Sequence, residues 1–173
     1  APEVAARINY EIQAVLCQPR DPETLRASVA EMRQRMAAGH ATTPCWQLKH
    51  WRGGLVDAEF IVQFLQLKHA CEHPDVIEAN TVLACEKLAA VGALDEVDAT
   101  VLAGAVRLFR NIQGLLRLTV DDAFDPLNAP ESLKARLTQV GGAVDFSALE
   151  AKVIETGGRV TELFERIVDT PVR

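Results

Sequence analysis

The stretch from Asp95 to Leu118 constrains the fold most. Val97, Val101, Leu102, Ala105, Leu108, Ile112, Leu115 and Leu116 recur at three- and four-residue intervals, the period of an α-helix with one apolar face. At 1.5 Å per residue this helix runs roughly 35 Å. An apolar stripe of that length has to be covered by other elements along most of its extent. Asp95 ahead of the first apolar residue is an N-cap, its carboxylate accepting from an otherwise unpaired amide of the first turn.

The rest of the chain supplies covers of the same kind. Ile8, Ile12, Val15 and Leu16 keep helical spacing over 3–17, and Cys17-Gln-Pro-Arg-Asp-Pro breaks the run. Asp21 as N-cap and Pro22 at the first helical position open a second helix that closes near Gly39. Its stripe reads Leu25, Val29, Met32 and Met36, with Arg26, Arg33 and Arg35 on the charged side. A strongly apolar helix is expected from Leu55 to about Glu72, stopped by Pro74. Asn80 caps a helix ending at Gly92, and 119–130 is a polar loop with two prolines. Pro130 opens a short helix ending at Gly141-Gly142. Asp145 caps a last one over about 146–168, interrupted or flexed at Gly157-Gly158. No period-2 run of useful length occurs. The expectation is an all-α bundle of six or seven helices in one domain over 1–173: an N-terminal helical pair (1–38), an irregular segment (39–54) and a bundle (55–168).

Composition narrows the function classes. Hydrophobic residues at 49% and charged residues at 24% exclude a disordered chain. A net charge of −6 argues against a nucleic-acid partner, and the apolar runs are too short to span a membrane. Cys17, Cys45, Cys71 and Cys85 are widely spaced and read as reduced thiols of a cytoplasmic protein. A chain opening at Ala1-Pro2 without Met reads as a piece of a longer protein.

The irregular stretch 39–54 holds both tryptophans, two of the four histidines and a glycine pair. A short extended piece is expected around Trp46 to His50. Lys49 and Arg52 flank Gly53-Gly54 just before a helix start, which reads either as a phosphate-holding turn or as a plain turn. Asp57 and Glu59 form a metal-type carboxylate pair only on a strand. On a helix they point about 200° apart, and Asp57 becomes a first-turn acid favoured by the helix dipole. Glu59, Gln63 and Gln66 make a polar stripe on an otherwise apolar helix and need partners. Arg107, Arg110 and Arg117 share one side of the long helix and are candidates for a buried network with Glu59. His69 and His73 in H-x-x-E-H spacing read as two solvent-facing histidines near a helix end, so no metal site is assigned.

Three motifs together are more specific. Met32-Arg33-Gln-Arg35-Met36, Trp46-Gln-Leu-Lys49 and Gly53-Gly54-Leu-Val-Asp57-Ala-Glu59-Phe60-Ile-Val-Gln63 resemble the glutamine synthetase adenylyltransferase family, with its M-R-x-[RK]-M and D-[IL]-K-x-x-x-G-G-[IL]-x-[DE]-I-E-F-x-x-Q stretches. The likeness covers about 3–137 and departs at Gln47, usually Asp, and at Ala58, usually Ile. It implies one helical domain of a bifunctional enzyme whose halves each pair a nucleotidyltransferase domain with a helical domain. One half transfers AMP from ATP, with magnesium, to a tyrosine of glutamine synthetase; the other removes it, and a PII-type regulator sets the balance. The Gly-Gly-x-x-Asp-x-Glu-Phe version resembles the adenylylating half. The superfamily's Gly-Ser turn and D-x-D pair do not occur in this chain. The resemblance therefore implies the helical region at the C-terminus, with no cofactor of its own and no activity alone. A stand-alone helical interaction module is the alternative.

Overall fold

The computed structural model describes residues 2–39, 44–120 and 123–169. Among these the chain is helical, with no strand: α1 (Pro2–Leu16), α2 (Pro22–Ala38), α3 (Leu55–His69), α4 (Thr81–Ala90), α5 (Glu96–Thr119), α6 (Glu131–Gly141) and α7 (Phe146–Phe164). A 3₁₀ turn, Pro74–Val76, precedes α4, and a π-helical turn, Glu165–Asp169, ends α7. The capping residues do what their chemistry requires. Asp21, Asn80, Asp95 and Asp145 each accept from a first-turn amide through the side chain. Gly142 closes α6 in the left-handed region at φ 61°.

α5 is the axis of the fold. It packs against α3, α4, α6 and α7, and its fully buried Leu102, Val106, Phe109 and Ile112 form the middle of one continuous core. α3 is buried on most sides, as expected for a helix with so little polar surface. It ends at His69 rather than Glu72, so His69 and His73 straddle its end. Among the described residues, no three His, Cys, Asp or Glu side chains converge as metal ligands would.

Four expectations are corrected. Residues 44–54 are successive turns, not an extended piece, because Gln47, His50, Trp51 and Gly54 donate backbone bonds three or four residues back; 40–43 lie outside the described residues. α7 runs without interruption through Gly157-Gly158, since Gly157 is the seat of a tryptophan ring rather than a break. On α2, Met32 is exposed and Arg33 is buried, because the face toward α3 is a few tens of degrees away from the apolar stripe. Finally, α1 carries Val4, Ile8, Ile12 and Val15 at the surface, while α2 is the helix that packs on α3 and the π turn. No helix among the described residues is long and apolar enough to cross a membrane.

Candidate functional site

The turns over 44–54 are anchored by aromatic side chains at both ends. Trp46 is buried and stacks on Phe146 from α7, with ring centroids 5.2 Å apart and planes 9° from parallel. Phe124 meets it edge-on at 5.1 Å. Its indole N–H donates to Glu150 at 3.2 Å, which gives the buried donor a partner. Trp51 lies where a side chain on Gly157 would stand. Gly53 has φ +80° and rests against the backbone of Gly157, so only glycine fits by both backbone conformation and space.

Asp57, in the first turn of α3, is the hub of this arrangement and is fully buried. One carboxylate oxygen accepts from Arg33 Nε and faces Arg52 Nη1 at 3.6 Å. The other accepts from the Gly53 amide at 2.5 Å and from Arg33 Nη2 at 3.3 Å. Arg33 also donates to the His50 carbonyl at 3.4 Å. A bidentate guanidinium–carboxylate pair is the strongest ordinary side-chain contact. Here it ties α2 to the turn and to α3. Arg52 continues outward to Asp169 at 3.1 Å and Glu165 at 3.8 Å, with its guanidinium over the Phe164 ring.

This wiring decides what the glycine turn offers a ligand. The Gly53 amide donates to Asp57, Gly54 to the Trp51 carbonyl, Leu55 to Leu48 and Val56 to Lys49. The amides of Gly53, Gly54, Leu55 and Val56 are thus engaged within the protein, and Arg52 is engaged by carboxylates. Lys49 alone of the candidates in this turn projects an exposed cation with no carboxylate partner among the described residues.

The expected buried network around Glu59 is corrected in part. Glu59 pairs with Arg110 at 3.0 Å, and Arg110 also donates to Thr81. The pair is partly solvated, at 31% and 43% side-chain exposure, because Glu59 sits at the rim where α3 meets α4 and α5. Arg107 pairs instead with Glu86 at 3.6 Å, and Gln63 is exposed. Gln66 is buried, donating to the Val76 and Glu78 carbonyls at 2.8 and 2.9 Å. Arg117 does not approach Glu59; it lines a cleft with Lys49. Among the described residues the buried ion pair is Arg33–Asp57. The one signal for it in the sequence is that Arg33 lies at helical spacing from Arg26, Val29 and Ala30, all turned inward.

Two environments shift titrations nearby. Burial, with the Glu150 charge, raises the Cys45 thiol. Burial, with the Lys68 charge, lowers His69.

A family model described as GlnD PII-uridylyltransferase matches residues 23–168. The bifunctional glutamine synthetase adenylyltransferase/adenylyl-removing enzyme of Xanthobacter autotrophicus is 41% identical over 169 residues, 98% of this chain and 17% of that protein. Proteins of the same name from Rhodopseudomonas palustris and Bradyrhizobium diazoefficiens are 41% and 38% identical over 167 residues each, again 96% of this chain and 17% of theirs. The chain thus spans 17% of the length of the curated relatives it matches.

Proposed function

The chain belongs to the GlnD PII-uridylyltransferase family, and on that premise we propose that it is the C-terminal helical domain of a glutamine synthetase adenylyltransferase. In this reading a nucleotidyltransferase domain precedes it in a cytoplasmic parent enzyme. That domain holds ATP and magnesium and carries out AMP transfer to a tyrosine of glutamine synthetase. The helical domain braces the transferase site and offers surface to glutamine synthetase and to a PII-type regulator.

The residues present support this division of labour. In-line phosphoryl chemistry needs carboxylates that converge on a metal. Asp57 is consumed by Arg33 and the Gly53 amide, and Glu59 by Arg110. The chain has neither a Gly-Ser turn nor a D-x-D pair. Its donor set does not fit a magnesium ion, and no chemical step is assigned to it.

The observation that carries the reading is the Lys49 turn. The residues that resemble the family's motif, from Lys49 to Glu59, are tied together by hydrogen bonds among the turn, Asp57 and the head of α3. Arg33 of the preceding motif joins it through Asp57 and the His50 carbonyl, and the Lys49 side chain is exposed at its surface. An exposed cation carried on a hydrogen-bonded turn suits a neighbouring anionic site. The assay is incorporation of labelled AMP into purified glutamine synthetase. The expected result is no transfer by this chain alone. In the full-length enzyme, Lys49→Ala lowers transfer well beyond any change in melting temperature. Transfer by the isolated chain would place the active site here and overturn the reading. Wild-type transfer by the full-length Lys49→Ala enzyme would confine the turn to a structural role.

A further inference from the structure

The core accounts for α2 to α7 but not for α1. Every side chain of α1 from Glu3 to Val15 is exposed, and among the described residues α1 shares no extended packing contact with another helix. The chain meets the core just past the end of α1, at Cys17. The attachment is nevertheless specific. The Arg20 guanidinium donates to the Leu16 carbonyl at 2.6 Å and to the Val15 and Gln18 carbonyls at 2.9 Å each. It thereby satisfies acceptors that a helix end leaves unpaired, and it ties α1 to the residue before the Asp21 cap of α2.

One side of this exposed helix is apolar. Val4, Ile8, Ile12 and Val15 are each at least half exposed, and they fall within about 80° of one another at 100° per residue. Ile8, Ile12 and Val15 are the i, i+4, i+7 anchors of a helix laid in a groove, and Val4 extends them by a turn. Arg7 and Glu11 run along one edge as a polar rim. An uncovered helix of 15 residues is marginal in water, even when built from better helix formers than valine and isoleucine. The size of the face limits what covers it. Four such side chains fall at the lower end of the roughly 300–600 Å² of the largest apolar patch on an ordinary monomer. A stable dimer takes about 800 Å² from each partner, so two copies joined through α1 alone fall short. A domain on the same chain does not need that area, because tethering supplies an effective concentration of the order of mM.

We propose that the face formed by Val4, Ile8, Ile12 and Val15 docks in an apolar groove on the nucleotidyltransferase domain that precedes it in the parent enzyme, with the Arg20 clasp carrying the join. The choice of occupant rests on the adenylyltransferase reading. This chain spans 17% of the length of its relatives, so a parent of that kind has the chain to supply the groove.

The test compares the 173-residue protein with the full-length parent by hydrogen exchange, read peptide by peptide. Amides of residues 3–16 are expected to exchange near the open-chain rate in the 173-residue protein and roughly tenfold or more slowly in the parent, while α5 is protected in both. Ile8→Ala combined with Ile12→Ala strips the face but raises helix propensity. In the parent it should return α1 to fast exchange, the opposite of what propensity alone gives. In the isolated protein it leaves the melting temperature unchanged, because neither side chain is buried. A photo-reactive benzoylphenylalanine at position Ala5, beside the apolar strip, names the cover: illumination of the parent should join it to peptides of the preceding domain. Three results would overturn the proposal: equal protection of α1 in the two proteins, protection in the parent that survives the double alanine substitution, or a crosslink to α2–α7 or to a second copy. A dimer of the isolated protein in sedimentation, dissolved by the same substitution, would give the face to a second copy and overturn it too. A parent that does not transfer AMP, with α1 protected and crosslinked as expected, counts against the functional reading alone. AMP transfer by a parent in which α1 stays unprotected sinks the docking and leaves that reading standing.

Discussion

Replacing Asp57 by Asn removes a charge from a fully buried side chain. The side-chain shape stays and one oxygen remains to accept from the Gly53 amide, so the change isolates electrostatics from packing. Arg33, with its side chain 6% exposed, then loses its counter-charge, and Arg52 Nη1, 3.6 Å from the same carboxylate, adds a second positive charge. Breaking a buried ion pair from one side costs about 3–5 kcal/mol. For a domain of this size each kcal/mol lowers Tm by about 2–4 °C, so the expected drop is roughly 6–20 °C. Glu59→Gln is the matched comparison. Its pair with Arg110 is partly solvated, and such pairs contribute about 0.2–1 kcal/mol. Combining Arg33→Met with Asp57→Asn removes the stranded charge and should recover part of the loss, a coupling visible only in the double-mutant cycle. The assay is urea unfolding followed by far-UV circular dichroism. If Asp57→Asn costs under about 1 kcal/mol, or no more than Glu59→Gln, the assignment of the hub to Asp57 is wrong.

Further outcomes follow from single contacts. Gly157→Ala drives a methyl group into the Trp51 ring and should cost about 1–3 kcal/mol. Gly158→Ala meets nothing within 4 Å and should stabilise by about 0.5–1 kcal/mol; thermal melts of the two variants separate them. Cys85, whose thiol burial raises to about 11, should not react with a thiol reagent at pH 8 in the native state, while exposed Cys71 reacts at once; a timed mass-spectrometric count checks this. His69 has a lowered pKa through burial and the Lys68 charge, so the unfolded chain takes the proton first. Its contribution is whole above about pH 6.5 and is lost as pH falls through the lower native value. His69→Gln should flatten the pH dependence of the urea midpoint between pH 7.5 and 5.5.

Much of the helical frame was legible because local chemistry writes it. Asp21, Asn80, Asp95 and Asp145 mark helix starts through bonds made within three residues, and the α5 stripe states its own period. The inward turn of Arg33 was hidden because a guanidinium normally marks a solvated face, and its reason for being buried is a carboxylate 24 residues later. The seat of Trp51 on Gly157 was invisible for the same reason: a glycine pair within a helix reads as a flexure until its partner across the fold is known. Arg117 falls with Arg107 and Arg110 by helical angle alone. Angle does not say which end of a long helix meets which neighbour. The motif Lys49 to Glu59 was recognisable as a unit, but its engaged amides follow only from coordinates.

The contact of Gly53 with Gly157 also orders events in time. Arg33 and Asp57 lie only 24 residues apart, so α2 can meet the head of α3 before the later helices of this chain are made. The surface that fixes Gly53 and Trp51, and the carboxylate of Asp169 that receives Arg52, arrive roughly 100 residues later. At about 5–20 residues per second that is a wait of roughly 5–20 s. Through that interval the turn carrying Lys49 exists without its backing, and α7 closes it last.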